Sequence, residues 1–122
     1  MLKEEDGRSV LASLPTRRNS IPVKDSVADG CVELPEINLN CFVISPNTAI
    51  TEDGYCFPDA SCPTHIYGHQ IDFHDTNMMR SVYPHENVDY EVYGKMDDAI
   101  FNDLINCLKN SKSVKNKFKK IL

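Results

Sequence analysis

The chain has 122 residues, 41% of them hydrophobic, and a net charge of −5, which leaves room for one modest domain and excludes a second independent core. Its charge is divided: all eighteen acidic residues lie at or before Asp103, and six of the thirteen basic ones fall between Lys109 and Lys120. This pattern describes an acidic body with a basic interaction tail, so no nucleic-acid partner is expected.

No window approaches the roughly 20 apolar residues of a membrane span, and the N-terminus "MLKEEDGRSVLASLP" has no run of signal-peptide length. A cytoplasmic protein is therefore expected. In that compartment Cys31, Cys41, Cys56, Cys62 and Cys107 are predicted to be thiols rather than bridges, and their odd number agrees. The terminal "KKIL" imitates a dilysine retrieval signal, which has no use without a membrane anchor.

In chain order, residues 1–36 are polar and punctuated by Pro15, Pro22, Gly30 and Pro35, a composition expected to stay flexible. One short helical segment is predicted there, around Glu4 to Leu14. Residues 37–122 form the second unit, a small α+β region with low regular content. Within it "LNCFVI", "THIYGHQIDFH" and "DYEVY" lean to strand, separated by turn-rich "SPN", "EDGY" and "FPDASCP", and predict a small sheet. "DDAIFNDLINCLKN" predicts an amphipathic helix: Ile100, Phe101, Leu104, Ile105, Cys107 and Leu108 share one face, and Asp97 and Asp98 stand at the positive end of the dipole. The tail "LKNSKSVKNKFKKIL" spaces Val114, Phe118 and Leu122 among lysines, the pattern of a basic amphipathic helix. An isolated helix of that length is marginal in water, so a frayed continuation of the preceding helix is expected instead.

The densest chemistry lies between Cys56 and Asp75, where Cys56, Cys62, His65, His69, Asp72, His74 and Asp75 are gathered. Zinc needs four convergent N, S or O ligands. The spacing Cys-x5-Cys-x2-His-x3-His lacks the paired Cys-x2-Cys element. In extended chain His65 and His69 would stand about 13 Å apart, too far for one ion unless the backbone turns at Gly68. Strand histidines and reduced cysteines are expected, with Cys56, Cys62, His65 and His69 as the metal candidates if a metal is held. No nucleophile elbow, phosphate loop or paired-glycine fingerprint is present. No catalytic residue and no cofactor is assigned, and the chain is not expected to be an enzyme.

The stretch "TRRNSIP" puts Arg17 and Arg18 three and two residues before Ser20, with Ile21 after it. Guanidinium groups at those places suit the acidic subsites of a basophilic kinase. Over Val10 to Pro22 the run "VLASLPTRRNSIP" resembles the inhibitory segment of the cAMP-dependent protein kinase inhibitor family. There an apolar-Ile-Ala-Ser helix leads into an Arg-Arg-Asn-Ala-apolar pseudosubstrate. The resemblance implies that Val10, Leu11, Arg17, Arg18, Asn19, Ser20 and Ile21 bind a kinase catalytic subunit. It also implies a leucine-rich export signal in Leu34, Leu39, Phe42 and Ile44, read by a nuclear export receptor, with shuttling to the nucleus. Ser20 replaces the family's alanine and supplies a hydroxyl that a kinase can phosphorylate. The likeness covers residues 9–44. The expected function is a non-enzymatic kinase regulator; the alternative is a small interaction module, zinc-stabilised through the Cys56 to Asp75 cluster.

Overall fold

Asp6 and Gly7 set the first element of the computed structural model, which describes residues 1–14, 30–57 and 63–122. Both have positive φ, 53° and 75°, the primed-turn geometry that an Asp-Gly pair favours. They join β1 (Lys3–Glu5) to β2 (Arg8–Leu11) as an antiparallel hairpin. The helix expected around Glu4 to Leu14 is thus corrected, because a two-residue turn with positive φ ends helical geometry. β2 continues the sheet against β6 (Asp72–Asp75), with Val10 opposite Phe73. Ser9 and Val10 are fully buried, so this part of the expected flexible third is packed chain.

The second sheet has the order β3–β4–β5, all antiparallel, from β3 (Gly30–Leu34), β4 (Leu39–Ile44) and β5 (Thr64–Tyr67). Its register places Cys31, Phe42 and Ile66 side by side, and on the other face Val32, Cys41 and Tyr67. Phe42, Ile44 and Ile66 join the main core, while Cys41, Val43 and Tyr67 form a second buried cluster. A strand covered on both faces reads as an unbroken apolar run, which is why "LNCFVI" is apolar at five of its six positions.

Among the described residues three α-helices complete the α+β fold. α1 (Thr76–Val82) starts at Asp75, whose carboxylate accepts from Met78 N–H at 2.7 Å. α2 (Asp98–Lys109) starts at Asp97, which accepts from Ile100 N–H at 3.1 Å and buries Leu104, Cys107 and Leu108. Side-chain caps of this kind each contribute about 1 kcal/mol. The predicted face of α2 is the one that packs. No helix among the described residues is long and apolar enough to cross a membrane.

Beyond α2 the chain breaks at a buried Ser111 and returns to the core through Val114 and Phe118, the latter in α3 (Asn116–Lys119). The frayed continuation expected for the tail is therefore corrected. Phe118 lies 4.9 Å from the Phe73 ring, and Lys117 stands over both rings, so the lysines stay in solvent while the apolar residues between them are covered. Gly68, in the turn after β5, marks the crossing: a Cβ there would lie 2.6 Å from Asn40 Oδ1 and 2.7 Å from Val114 Cγ2.

The main correction is covalent. Cys31 of β3 and Cys107 of α2 form a disulfide across 76 residues, where reduced thiols were expected. Beside it Asn40 Nδ2 donates to Glu33 Oε2 at 2.9 Å, and Glu33 Oε1 accepts from Lys112 N–H at 3.3 Å. The bridge and this polar bracket hold β3, β4, α2 and the tail together.

Two outcomes follow for stability. A bridge closing a loop of this length should stabilise the fold by about 4 kcal/mol in the chain-entropy account. Denaturant titration with and without reductant should lower the unfolding midpoint accordingly, and the Cys31→Ser/Cys107→Ser chain should match the reduced protein. Phe118→Ala should cost about 3 kcal/mol, the range for a buried phenylalanine; a frayed tail would lose almost nothing.

Candidate interaction surface

The sequence-predicted site residues do not gather in one place. Val10 is sealed in the core and Leu11 lies in β2. They offer no helical face to a kinase groove, which corrects that part of the expected docking set. Arg17, Arg18, Asn19, Ser20 and Ile21 lie outside the described residues. Of the export-like set, Leu34 and Leu39 flank the β3–β4 turn and are half-buried. Phe42 and Ile44 are core residues of β4, so a receptor cannot reach them in the folded chain. The spacing that imitates an export signal is the alternation of a sheet strand.

The chain does turn at Gly68, in a 3₁₀ segment Gly68–Gln70. Yet His65 and His69 flank the ring of Tyr67, at 5.8 Å and 5.5 Å between ring centroids, with His65 buried and His69 exposed. Among the described residues no three His, Cys, Asp or Glu side chains converge on a point that would hold a metal. Cys62 lies outside them, and Cys56 is partly exposed. Cys41 is buried, and burial pushes its thiol up to about 11, which leaves it protonated and unreactive near neutral pH.

The surface that the sequence did not single out begins at the end of α1. Sixteen consecutive residues, 80–95, are exposed, and they include Tyr83, Val88, Tyr90, Val92 and Tyr93. Val88 is 82% exposed and Val92 63%. The strand expected over "DYEVY" is absent; this stretch pairs with no sheet. Local bonds shape it instead. Asp89 Oδ2 accepts from His85 N–H at 3.0 Å, His85 O accepts from Asp89 N–H at 2.8 Å, and Tyr90 O accepts from Asn87 N–H at 2.6 Å. Asn87 takes the left-handed conformation, φ 66°, which asparagine tolerates better than most residues.

The far end of the stretch is anchored to the body. Tyr93 stacks on Tyr55, 4.4 Å between centroids and 8° between planes. Lys95 O accepts from Glu52 N–H at 3.0 Å, and Ile50 O accepts from Asp97 N–H at 2.8 Å, so the strap enters the start of α2 already fixed. Lys95 Nζ lies 3.4 Å from both Glu52 and Asp98; exposed pairs of this type contribute little. Beneath the strap is a mainly apolar cavity of about 510 Å³, walled by Ile50, Tyr55, Phe57, Met96, Phe101 and Leu104 among others.

From Tyr83 to Tyr93 the segment carries Glu86, Asp89 and Glu91 and neither lysine nor arginine. Its field is negative and its tips are apolar. The Glu91 carboxylate, by hydrogen bond and by charge, pushes the Tyr93 phenol up to about 12. Val88, Asp89, Tyr90, Glu91 and Val92 alternate apolar and polar as a half-buried strand does, so the sequence carried no signal that set this surface apart from a paired strand.

Comparison with protein-family models, with curated proteins and with solved structures finds no match for this chain.

The Tyr93 shift gives a test of the anchor. A negative charge beside the phenol disfavours the phenolate, so Glu91→Gln should bring the Tyr93 midpoint down toward 10, the value of an unperturbed tyrosine. Ring-carbon NMR titration reads it directly; an unmoved midpoint would place the carboxylate elsewhere.

Proposed function

We propose that this chain is a non-enzymatic protein-interaction module, stapled by a disulfide, that presents residues 83–93 to a basic protein partner. The observation that carries the reading is the ordered exposure of Tyr83, Val88, Tyr90 and Val92 in one segment. Apolar side chains on a turn fixed by its own hydrogen bonds stay in water at a cost that a partner's surface would remove. Tyrosines on a preformed backbone also lose little conformational freedom on binding. The three carboxylates among them supply the sign: lysine or arginine side chains on the partner meet Glu86, Asp89 and Glu91, and aliphatic groups cover the valines. The disulfide supports a working environment in which thiols become oxidised.

The kinase-regulator alternative now rests on Arg17, Arg18, Asn19, Ser20 and Ile21 alone, since Val10 is committed to the core.

Selection from a displayed library of random peptides against the oxidised chain tests the proposal. Recovered peptides should be rich in Lys or Arg beside aliphatic residues. Their binding should fall at least about tenfold in the Val88→Asp/Val92→Asp chain, since anchors at the centre of an interface dominate its energy, and it should weaken with added salt. Recovery of peptides that bind both chains equally, or self-association of the chain through its lysine tail in place of peptide binding, would contradict it.

A further inference from the structure

We infer that Tyr90 is an acceptor for sulfuryl transfer, the phenol being converted to an anionic sulfate ester. Three tyrosines are exposed on this segment, and the structure separates them. Tyr83 is followed by Pro84 and His85 and has no carboxylate within two residues. Tyr93 has its ring stacked on Tyr55, which covers one of its faces, and the neighbouring Glu91 carboxylate disfavours its phenolate. Tyr90 stands between Asp89 and Glu91 and is bridged through its backbone to Glu86; at 46% it is slightly less exposed than Tyr83 (55%) and Tyr93 (54%), so its flanking carboxylates, not its exposure, set it apart. Residues 91–95 that follow it have no regular structure, so a transferase can draw this chain into an extended groove without breaking a sheet or a helix. The carboxylates on either side match a cleft lined with cations, the kind of cleft that must also hold an anionic donor.

The chemistry balances with a nucleotide sulfuryl anhydride as donor. Tyr90 Oη attacks the sulfur and an O–S bond forms; the S–O bond to the nucleotide phosphate breaks, its electron pair leaving with the phosphate. The phenolic proton passes to a base of the transferase. No electron is exchanged with any redox partner. The Cys31–Cys107 bridge selects this chemistry over phosphoryl transfer: disulfides persist in oxidising compartments, and sulfuryl transfer to tyrosine belongs to the secretory lumen. The inference rests on the reading of residues 83–93 as an exposed docking segment, and one added permanent charge would strengthen its pull on a basic partner.

The test uses the full oxidised chain, a tyrosylprotein sulfotransferase and the nucleotide sulfuryl donor, with no peptide partner present, so that its outcome is independent of docking. Fragment mass analysis should locate the sulfate on Tyr90, with Tyr83 and Tyr93 together below about one tenth of that occupancy; the rate should drop by roughly tenfold in Glu86→Gln/Asp89→Asn as the charge match is removed. Asp89 also caps the local turn, so Glu86→Gln alone, whose side chain makes no hydrogen bond within the turn, is measured beside it and should slow transfer severalfold. Chain recovered from its native cells should carry a Tyr90 ester that resists phosphatase. Absence of sulfate at Tyr90 in either sample, equal labelling of the three tyrosines, undiminished rates in both variants, or a phosphatase-sensitive ester would each overturn the inference.

Discussion

The Cys31–Cys107 bridge fixes α2 across the face of the β3–β4–β5 sheet that carries Phe42, Ile44 and Ile66. A chain of 122 residues, whose regular elements are mostly three to seven residues long, has little packed area with which to hold a helix at that angle. The covalent link removes the need to hold it by packing alone, by restricting the unfolded ensemble. Asn40 and Glu33 reinforce the same corner, and the tail from Ser111 to Phe118 closes over it. With α2 in place, Ile50 and Asp97 can bond, and the strap that precedes the helix is fixed at its root.

The exposed surface depends on that root. Residues 80–95 make few bonds to the body between Arg80, which lies 3.7 Å from Glu4, and Tyr93, which rests on Tyr55. Two anchored ends and an internal turn give the segment a shape without burying it. A presented loop on a rigid scaffold is the usual way for a small domain to carry a binding function, which supports the proposed reading of these exposed apolar residues. The same exposure leaves Tyr90 open to solvent, while the stack on Tyr55 covers one face of Tyr93.

Much of the architecture was legible in the residues, and the gaps have physical causes. α2 could be read because its caps and its apolar face agree, and β4 because its apolar run is bounded by Pro35 and Pro46. The Asp6-Gly7 hairpin was readable too, since this pair is the strongest short-range hairpin signal, but the helical spacing of the apolar residues after it competes with that signal. Phe42 and Ile44 fit an export spacing and a strand equally well, and only tertiary burial separates the two. Pairing of Cys31 with Cys107 could not be derived, since spacing along the chain carries no information about which thiols meet. Nor could the tail's docking, which depends on a place for Phe118 beside Phe73. The exposed segment was missed for the opposite reason: its β-forming residues predicted pairing, and no neighbouring edge takes them up.

A peptide map of the native chain, alkylated and digested without reduction, tests the account at its base. It should yield one cross-linked species joining the peptides of Cys31 and Cys107, with Cys41 left unalkylated until the chain is unfolded and then labelled as a thiol. Recovery of Cys31 and Cys107 as separately alkylated peptides, from chain kept under oxidising conditions, would contradict the account: α2 would then lack its fixed position and the strap its root.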